Sequence, residues 1–237
     1  IKAIVINICL KQLFNIMKKN HQNVESTPGT RERILQAAAE VFADSGFERA
    51  TVREICSRAS VNVAAINYHF RDKENLYIEV LKYSKELAFK KYPHDLGTQK
   101  GDSPEIRLRV FIRSLVLRIL GDDPSSLFGR LVSREYIEPT SAFDVIVEET
   151  MRPTFAFLSE IIRELLGGKV PAMRVHMCCA SVISQCLFFL YARHALAKLF
   201  PEQKFGRTEM EAIADHIAGF SLSAIKDLRK TMKGERK

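Results

Sequence analysis

Basic side chains gather between Arg49 and Lys73, in a stretch that also carries hydroxyl and amide groups. Five basic residues against two acidic ones give this stretch a local charge of +3. They are Arg49, Arg53, Arg58, Arg71 and Lys73 against Glu54 and Asp72. Such a cluster can bind the phosphates of a polyanion, and binding of that kind weakens with added salt. The whole chain agrees, because its net charge of +8 favours nucleic acid or an anionic membrane surface as a partner.

A second set of reactive residue types lies on one predicted helix near the carboxyl end. It consists of His176, Cys178, Cys179, Cys186 and His194. A metal or thiol-redox site would need several of them to converge, and three share one helical face. We favour buried structural cysteines, because an unpaired cysteine behaves as a small apolar residue. Five cysteines without an evident secretory signal argue against a disulfide framework and fit a reducing cytoplasm. We predict no metal and no cofactor, and no phosphate loop or common hydrolase motif indicates catalysis.

These residues must be positioned by helices, since apolar residues recur at helical spacing along most of the chain. The first expected elements are a helix from Thr30 to Gly46, a short helix after Thr51, and a third from Asn62 to about Phe70. Thr51 and Glu54 form a capping box, and Asn62 is a good N-cap residue. Two short helices joined by a tight turn are the helix-turn-helix pattern.

Longer helices follow, separated by Gly and Pro residues. Their expected bounds are Asp72 to about Tyr92, Pro104–Leu120, Pro124–Ile137, Ser141–Leu166, Pro171–Phe200 and Arg207–Met232. No alternation of period two is long enough to argue a sheet, and we find no stretch of the ~20 apolar residues that span a bilayer. The sequence therefore predicts an all-α fold without a membrane span.

The first residues raise a separate question, because the chain begins with Ile1 and a polar, basic run follows Met17. Our hypothesis is that translation starts at Met17 and that Ile1–Ile16 is upstream sequence. The alternative is an amphipathic helix that lies on a membrane or a partner.

The segment Thr30–Leu81 resembles the TetR family of bacterial transcriptional regulators. The resemblance is carried by Thr30-Arg31-Glu32-Arg33-Ile34-Leu35, Phe42, Gly46-Phe47, Thr51-Val52-Arg53-Glu54-Ile55, Ala59-Ser60-Val61, Tyr68-His69-Phe70, Lys73-Glu74 and Leu76. The family usually has Gly where Ser60 stands, so a slightly different turn is expected, and many members have Tyr where Asn67 stands. The run Val61–Phe70 is most similar to a subgroup with regulators of drug-efflux and antibiotic-sensitivity genes. The helix with Cys178, Cys179 and Cys186 resembles that subgroup's carboxy-terminal domain.

The resemblance implies a DNA-binding domain of three helices over residues 28–88 and a ligand-binding and dimerisation domain over 89–237, with 1–27 outside both. It also implies that Arg53 reaches a guanine edge, and that Tyr68, His69 and Lys73, the last capping the next helix, contact phosphates. The predicted DNA contacts are Thr51, Arg53, Asn62, Val63, Ala64, Ala65, Asn67, Tyr68, His69 and Lys73.

The third helix suits the major groove, which is about 12 Å wide and admits one helix. Val63, Ala64 and Ala65 are small, so they permit close approach and can touch thymine methyl groups. Hydrogen-bonded recognition of bases is left to Asn62, Asn67 and Arg53. The alternatives are ordinary helix packing for Val63 and Ala64, a solvated surface arginine for Arg53, and a buried structural histidine for His69.

The last two helices are predicted to pair two copies of the chain. An apolar stripe follows the last helix, at Met210, Ile213, Ala214, Ile217, Ser221, Ala224, Ile225 and Leu228. Val175–Leu190 is apolar nearly all round, which predicts one side against its own domain and the other against a partner helix. A two-fold homodimer with a four-helix interface would place two recognition helices about one DNA turn apart on a palindrome.

Aromatic residues crowd the middle helices, where an apolar cavity in the resembled family accepts a small molecule. Our candidates for contacts with such a ligand are Phe111, Arg134, Phe155, Gln185 and Phe189, and the alternative is that they are core residues. The sequence thus predicts a cytoplasmic, non-enzymatic regulator that binds double-stranded DNA and is released by a small apolar effector. Repression is the family's usual output, and activation stays open. The alternatives are a carboxy-terminal domain that answers to a protein partner or only dimerises, and a helical enzyme with a DNA-binding head.

Overall fold

The computed structural model describes residues 29–121, 124–202 and 206–234. The predicted extension over residues 1–27, with the hypothesis about Ile1–Ile16, lies outside the described residues. Within the described ranges every regular element is helical, which confirms the all-α fold.

The helices are α1 (Thr30–Arg49), α2 (Val52–Ala59), α3 (Val63–Phe70), α4 (Lys73–Lys91), α5 (Pro104–Leu120), α6 (Leu127–Ile137), α7 (Phe143–Ile146), α8 (Arg152–Leu166), α9 (Ala172–Tyr191), α10 (Arg193–Leu199) and α11 (Arg207–Gly234). A 3₁₀ turn, Pro124–Ser126, precedes α6, and a π-helical turn, Val147–Met151, joins α7 to α8. The predicted helix Pro171–Phe200 is two helices, because the backbone departs from helical geometry at Ala192 (φ −85°, ψ 3°).

The caps of the short helices follow the predicted chemistry, with one correction. The Thr51 hydroxyl accepts a hydrogen bond from the Glu54 backbone N–H at 3.2 Å, and Asn62 Oδ1 accepts one from the Ala65 N–H at 2.9 Å. The cap of α4 is Asp72, which accepts from the Asn75 N–H at 2.8 Å, and not Lys73. The reason is electrostatic, since a helix N-terminus presents free N–H donors that a carboxylate can accept and an ammonium cannot.

Two apolar cores run through the chain. The first joins α1 to α4 around fully buried side chains such as Ile34, Phe42 and Ile66, and Leu131 of α6 also belongs to it. The second joins α5, α8, α9 and α11. We call α1 to α4 the head. Since α6 contributes to the first core, the head is packed against later parts of the chain. The division of the chain into two domains at residue 88 stays a prediction.

The last helix buries the first half of its apolar stripe within its own chain. Met210, Ala214 and Ile217 belong to the second core, as a regular apolar face normally does. The second half of the stripe lines a groove between α9 and α11, at Ser221, Ala224, Ile225 and Leu228. The outer side of α11 also exposes Phe220. The pairing of two copies through this stripe stays a prediction.

Helix α9 is buried on one side, as predicted. Its inner side places Val175, Cys179 and Cys186 in the second core, and its outer side exposes Met177 and Phe188. The expectation that no stretch is apolar enough for a membrane span was wrong for α9, which passes on length and composition. A single helix of this kind is weak evidence, because core helices of water-soluble proteins pass the same test.

Candidate DNA-binding surface and ligand cavity

Helix α3 presents one side to solvent and buries the other. The exposed residues at its start and along this side are Asn62, Val63, Ala64, Asn67 and Tyr68. Tyr68 is 84% exposed and Val63 44%, which is unusual for an apolar side chain on an otherwise well-packed helix. Ile66 and Phe70 anchor the opposite side in the first core. The exposed side is therefore free to enter a groove of DNA.

Ala65 does not share this exposed side. It is half-buried and packs against the first core, next to Val61. Asn62 is exposed, but its Oδ1 already accepts the Ala65 N–H, so the side-chain NH₂ group is the part left free for a base. Among the predicted residues of this helix, Asn67 is therefore the one whose side-chain amide can both donate a hydrogen bond to a base and accept one.

The turn between α2 and α3 takes the left-handed backbone conformation at Ser60 (φ 53°, ψ 51°). Glycine adopts this conformation at little cost, whereas a residue with a side chain pays about 1 kcal/mol or more. Ser60 nevertheless keeps it, and the Val61 N–H donates to the Cys56 carbonyl oxygen at 3.0 Å to close the turn. The turn therefore keeps a left-handed residue at this position, although serine stands where the family usually has glycine.

Arg53 and Arg58 of α2 occupy different electrostatic surroundings. Arg58 lies 3.4 Å from Glu40, 3.7 Å from Asp44 and 3.5 Å from Glu54, so its charge is balanced within the head. Arg53 is exposed, and within the described part of the chain it has no hydrogen bond or ion pair. The local charge of +3 counted along the sequence therefore overstates what the surface offers, and of the two arginines on α2 Arg53 is the one without an ion pair.

Lys73 and His69 are partly occupied by the protein itself. Lys73 Nζ donates to the Glu48 carbonyl oxygen at 3.2 Å and lies 4.5 Å from the centre of the Phe47 ring. His69 is half-buried, with its ring 5.0 Å from that of Tyr68. An ammonium has three donors, so Lys73 keeps two for a phosphate.

An apolar cavity of about 370 Å³ lies between α4, α5, α6, α8 and α9. Aromatic and aliphatic side chains form most of its wall, among them Phe89, Leu115, Ile119, Phe128, Phe155 and Leu187. The π-helical turn contributes Thr150 and Met151. Its volume falls at the small end of the range of about 300–1,000 Å³ that is typical of ligand pockets.

The predicted ligand contacts are dispersed, and of the five only Phe155 lines this cavity. Phe111 is fully buried beside the rings of His94 and Phe157, at 5.6 and 6.0 Å. Phe189 packs against the second core. Gln185 points to α11, where its Nε2 donates to the Ser221 hydroxyl at 3.3 Å. Arg134 points to the end of α1, away from the cavity.

The polar end of the cavity escaped the sequence analysis. Arg118 lines it and is 2% exposed, with Nη1 donating to the Tyr92 carbonyl oxygen at 2.8 Å. Its guanidinium lies 4.0 Å from the centre of the Phe89 ring. Burial lowers the pKa of Arg118 to about 10, so the side chain stays charged at neutral pH. An arginine inside the apolar run Leu115–Leu120 was the available signal.

His94 stands beside Arg118 and contacts a second lining residue. Its Nδ1 lies 3.4 Å from Arg118 Nη2, and its Nε2 lies 3.2 Å from the Thr154 hydroxyl. Burial and the neighbouring Arg118 charge lower the pKa of His94 to about 4. The imidazole is therefore neutral at physiological pH.

The cysteines of α9 are buried. Burial raises the pKa of Cys178 and Cys179, and raises that of Cys186 to about 12. Thiols with raised pKa values carry little thiolate and react slowly, which favours the structural interpretation. His176 and His194 are exposed, and no three His, Cys, Asp or Glu residues of the described ranges are placed to hold a metal ion.

Helix α6 separates the cavity from the amino-terminal head. On one side Phe128, Val132 and Tyr136 line the cavity. On the other side Arg134 donates to the Ala43 carbonyl oxygen at 2.9 Å, and also to the Asp44 carbonyl oxygen.

Glu135 gives a second link between α6 and the head. It is buried and accepts a hydrogen bond from the Tyr77 hydroxyl of α4 at 2.8 Å, and one from the Thr140 N–H at 2.9 Å. Burial and this carboxylate raise the pKa of Tyr77. A shift of α6 would therefore disturb hydrogen bonds to both α1 and α4.

Comparison with known proteins shows which family the chain resembles. Residues 34–80 match the family model "Bacterial regulatory proteins, tetR family". Residues 104–225, just over half of the chain, match "HTH-type transcriptional dual regulator CecR, C-terminal domain". The dual regulator CecR of Shigella flexneri is 26% identical over 174 residues, which cover 70% of this chain and 78% of that protein.

Two further proteins match part of the sequence or the fold. The repressor KstR2 of Mycolicibacterium smegmatis is 37% identical over 68 residues, which cover 29% of this chain and 33% of that protein. The crystal structure of AibR in complex with isovaleryl coenzyme A and operator DNA superposes with a TM-score of 0.63 at 20% identity, over 81% of this chain and 97% of that one. This chain belongs to the TetR family of DNA-binding transcriptional regulators and carries a carboxy-terminal domain of the CecR type.

Proposed function

We propose that the chain represses transcription as a homodimer that binds a palindromic operator and releases it when a small apolar molecule fills the cavity. The observation that carries this proposal is the position of α6, with the cavity on one side and the carbonyls of Ala43 and Asp44 on the other. A ligand that binds better when α6 is displaced would favour the DNA-incompetent state, whereas equal affinity for both states would shift nothing.

The DNA contacts proposed are those on the exposed side of α3 and at the start of α2. Asn62, Asn67 and Arg53 recognise bases, with Val63 and Ala64 against thymine methyl groups. Thr51, Tyr68, His69 and Lys73 hold phosphates. Ala65, packed against the first core, supports the helix from within and makes the weakest case for a contact.

The proposed dimer uses the outer sides of α9 and α11. Met177 is 61% exposed and Phe220 62%, and both line a groove of about 330 Å³ between the two helices. Exposed apolar side chains in a contiguous patch mark an interaction surface. The same helices of a second copy would fill this groove and complete a four-helix interface.

The relatives support repression and a ligand response. KstR2 is named a repressor, CecR a dual regulator, and AibR was crystallised with both a small molecule and operator DNA. The homologues and structural neighbours are transcriptional regulators, which favours a non-enzymatic, cytoplasmic role for this chain.

The test is selection of duplexes from a random library by the purified protein, followed by light scattering of the complex. We expect a palindromic consensus and two chains for each site. Met177→Glu with Phe220→Glu should give monomers with much weaker operator binding, while Gln99→Glu, in an exposed loop, should leave both unchanged. A monomer that binds a non-palindromic site with full affinity would overturn the proposal.

A further inference from the structure

The wall of the cavity contains one formal positive charge and, among the described lining residues, no carboxylate. The positive charge belongs to Arg118, and the other polar groups are hydroxyls such as those of Ser133, Thr154 and Ser184. A ligand pocket is mostly apolar, and the few polar groups it holds decide what it binds. The charge pattern therefore selects against cations.

Arg118 is compensated by neutral groups alone within the described residues. Its partners are the Tyr92 carbonyl oxygen, the His94 ring nitrogen and the face of the Phe89 ring. No described carboxylate lies within 4.0 Å of its guanidinium nitrogens. A buried charge without a counter-charge is unfavourable, because no ion pair offsets its desolvation. An anion that enters the cavity would offset part of this penalty.

A second hydrogen-bond donor in the cavity wall is the Thr154 hydroxyl, which the hydrogen bonds of His94 leave free. Arg118 Nη2 can only donate, so His94 Nδ1 accepts from it and the ring proton stands on Nε2. The Nε2–H then donates to the Thr154 oxygen. The Thr154 hydroxyl hydrogen has no part in that bond and is available to a ligand, because Thr154 also lines the cavity. A guanidinium and a hydroxyl donor thus flank the His94 ring, one on each ring nitrogen, and both line the apolar space.

We infer that the effector is an apolar small molecule with a single carboxylate, and that Arg118 binds this carboxylate while the Thr154 hydroxyl and the apolar wall contact the rest of the molecule. The inference rests on the proposed ligand response and names its chemical class. A single cation matches a single negative charge, so a phosphate ester or a coenzyme A thioester would bring charge that nothing in the described wall neutralises. The volume of about 370 Å³ also suits a small acid better than a nucleotide conjugate.

The first experiment changes the ligand and leaves the protein intact. Hexanoic, octanoic and decanoic acids are compared by calorimetry at pH 7.5 with the primary alcohols and primary amines of equal length, and with octanoyl coenzyme A. We expect the acids to bind about 10- to 100-fold more tightly than the alcohols, since hydrogen bonds to charged groups are worth about 1.5–3 kcal/mol. The amines and the thioester should bind more weakly than the alcohols.

The second experiment uses a matched pair of variants on α5. Arg118→Gln keeps an amide that can donate to the Tyr92 carbonyl and removes the charge. Arg113→Gln makes the same change at a residue that pairs with Glu211 at 2.5 Å, away from the cavity wall. Acids should lose about 10- to 100-fold in affinity for Arg118→Gln, with the alcohols unchanged. The Arg113→Gln variant should keep the preference of the wild type.

The outcomes separate this inference from the proposed function. Equal affinity for acids and alcohols, or a preference that survives Arg118→Gln, overturns the carboxylate assignment and leaves a ligand response standing. If no probe of any charge binds or releases DNA, the ligand response falls and the inference falls with it. If Arg118→Gln does not fold, the comparison of acids with alcohols on the wild type still decides the matter.

Discussion

Arg134 Nε donates to the carbonyl oxygen of Ala43 across 2.9 Å, so a side chain of α6 caps the regular part of α1. The cap explains why a glycine follows. Gly46 turns the backbone with φ 78° and ψ 169°, and a Cβ there would lie 3.2 Å from Arg134 Nη1. The contact between the head and the half of the chain that holds the cavity thus lies at Gly46, where no residue type other than glycine fits easily.

Replacement of Arg134 by Gln should destabilise the head and weaken the transmission of ligand binding. The Ala43 and Asp44 carbonyls would lose charged donors, which costs about 1–3 kcal/mol of unfolding free energy. Urea unfolding measures this loss. Arg130→Gln is the matched control, since its exposed ion pair with Asp44 at 2.7 Å should be worth about 1 kcal/mol or less. Equal effects of the two substitutions would show that the cap has no special role.

Removal of Arg53 should weaken binding to the specific operator by about 1–3 kcal/mol and relax the preference at one base pair. Arg58→Ala is the control on the same helix, because its charge is already balanced by Glu40, Asp44 and Glu54. That variant should bind DNA almost as the wild type does. Fluorescence anisotropy on the consensus and on single-base variants measures both. If Arg53→Ala weakens every duplex equally, its side chain contacts only the backbone.

The contrast between Arg53 and Arg58 shows which features of the site the sequence alone can predict. Helix bounds and the caps at Thr51 and Asn62 were predictable, because they depend on residues within one turn. The i,i+4 rule singles out Arg58, which has Glu54 four residues before it, whereas Arg53 has no carboxylate at that spacing. The other two partners of Arg58 lie on α1, and no spacing rule predicts them. Arg134 and Ala43 are 91 residues apart. Only the folded packing therefore shows that the Arg134 side chain binds a backbone carbonyl and not a ligand.

The cavity shows the same limit. Aromatic composition predicted an apolar space in the middle helices, yet it could not tell wall from core. Phe155 lines the space, whereas Phe111 stacks beside it in the core. In the sequence Arg118 is one charge in an apolar run. Its role as a binding site for an anion follows only from the folded structure, where no described carboxylate lies beside it.

Lys73→Ala should lower affinity for all duplexes by a similar factor and reduce the slope of log affinity against log salt by about one. The expected reason is loss of one phosphate contact, which carries no sequence information. The variant also loses the bond to the Glu48 carbonyl and the contact with the Phe47 ring. Lys73→Arg restores a cation at the same place and should recover the slope. An unchanged slope for Lys73→Ala would remove Lys73 from the phosphate contacts.

The stability of the chain should fall as the pH is lowered through the range set by His94. In the folded protein the pKa of His94 is lowered to about 4, from an ordinary value of 6.5, by burial and by the charge of Arg118, with Asp95 opposing the shift. Between these two values the unfolded chain binds a proton that the folded chain does not, so protonation favours unfolding. The contribution of neutral His94 is complete above about pH 6.5 and is lost as the pH approaches 4.

Urea unfolding of the wild type and of His94→Asn, at pH 7.5 and at pH 5, isolates this effect from carboxylates that titrate in both proteins. The wild type should lose more unfolding free energy over that interval than His94→Asn does. His176→Asn is the control, because His176 is exposed on α9, and it should follow the wild type. If His94→Asn loses as much stability as the wild type, His94 is not the neutral group that accepts from Arg118 and donates to Thr154, and the donor assigned to the cavity loses its basis.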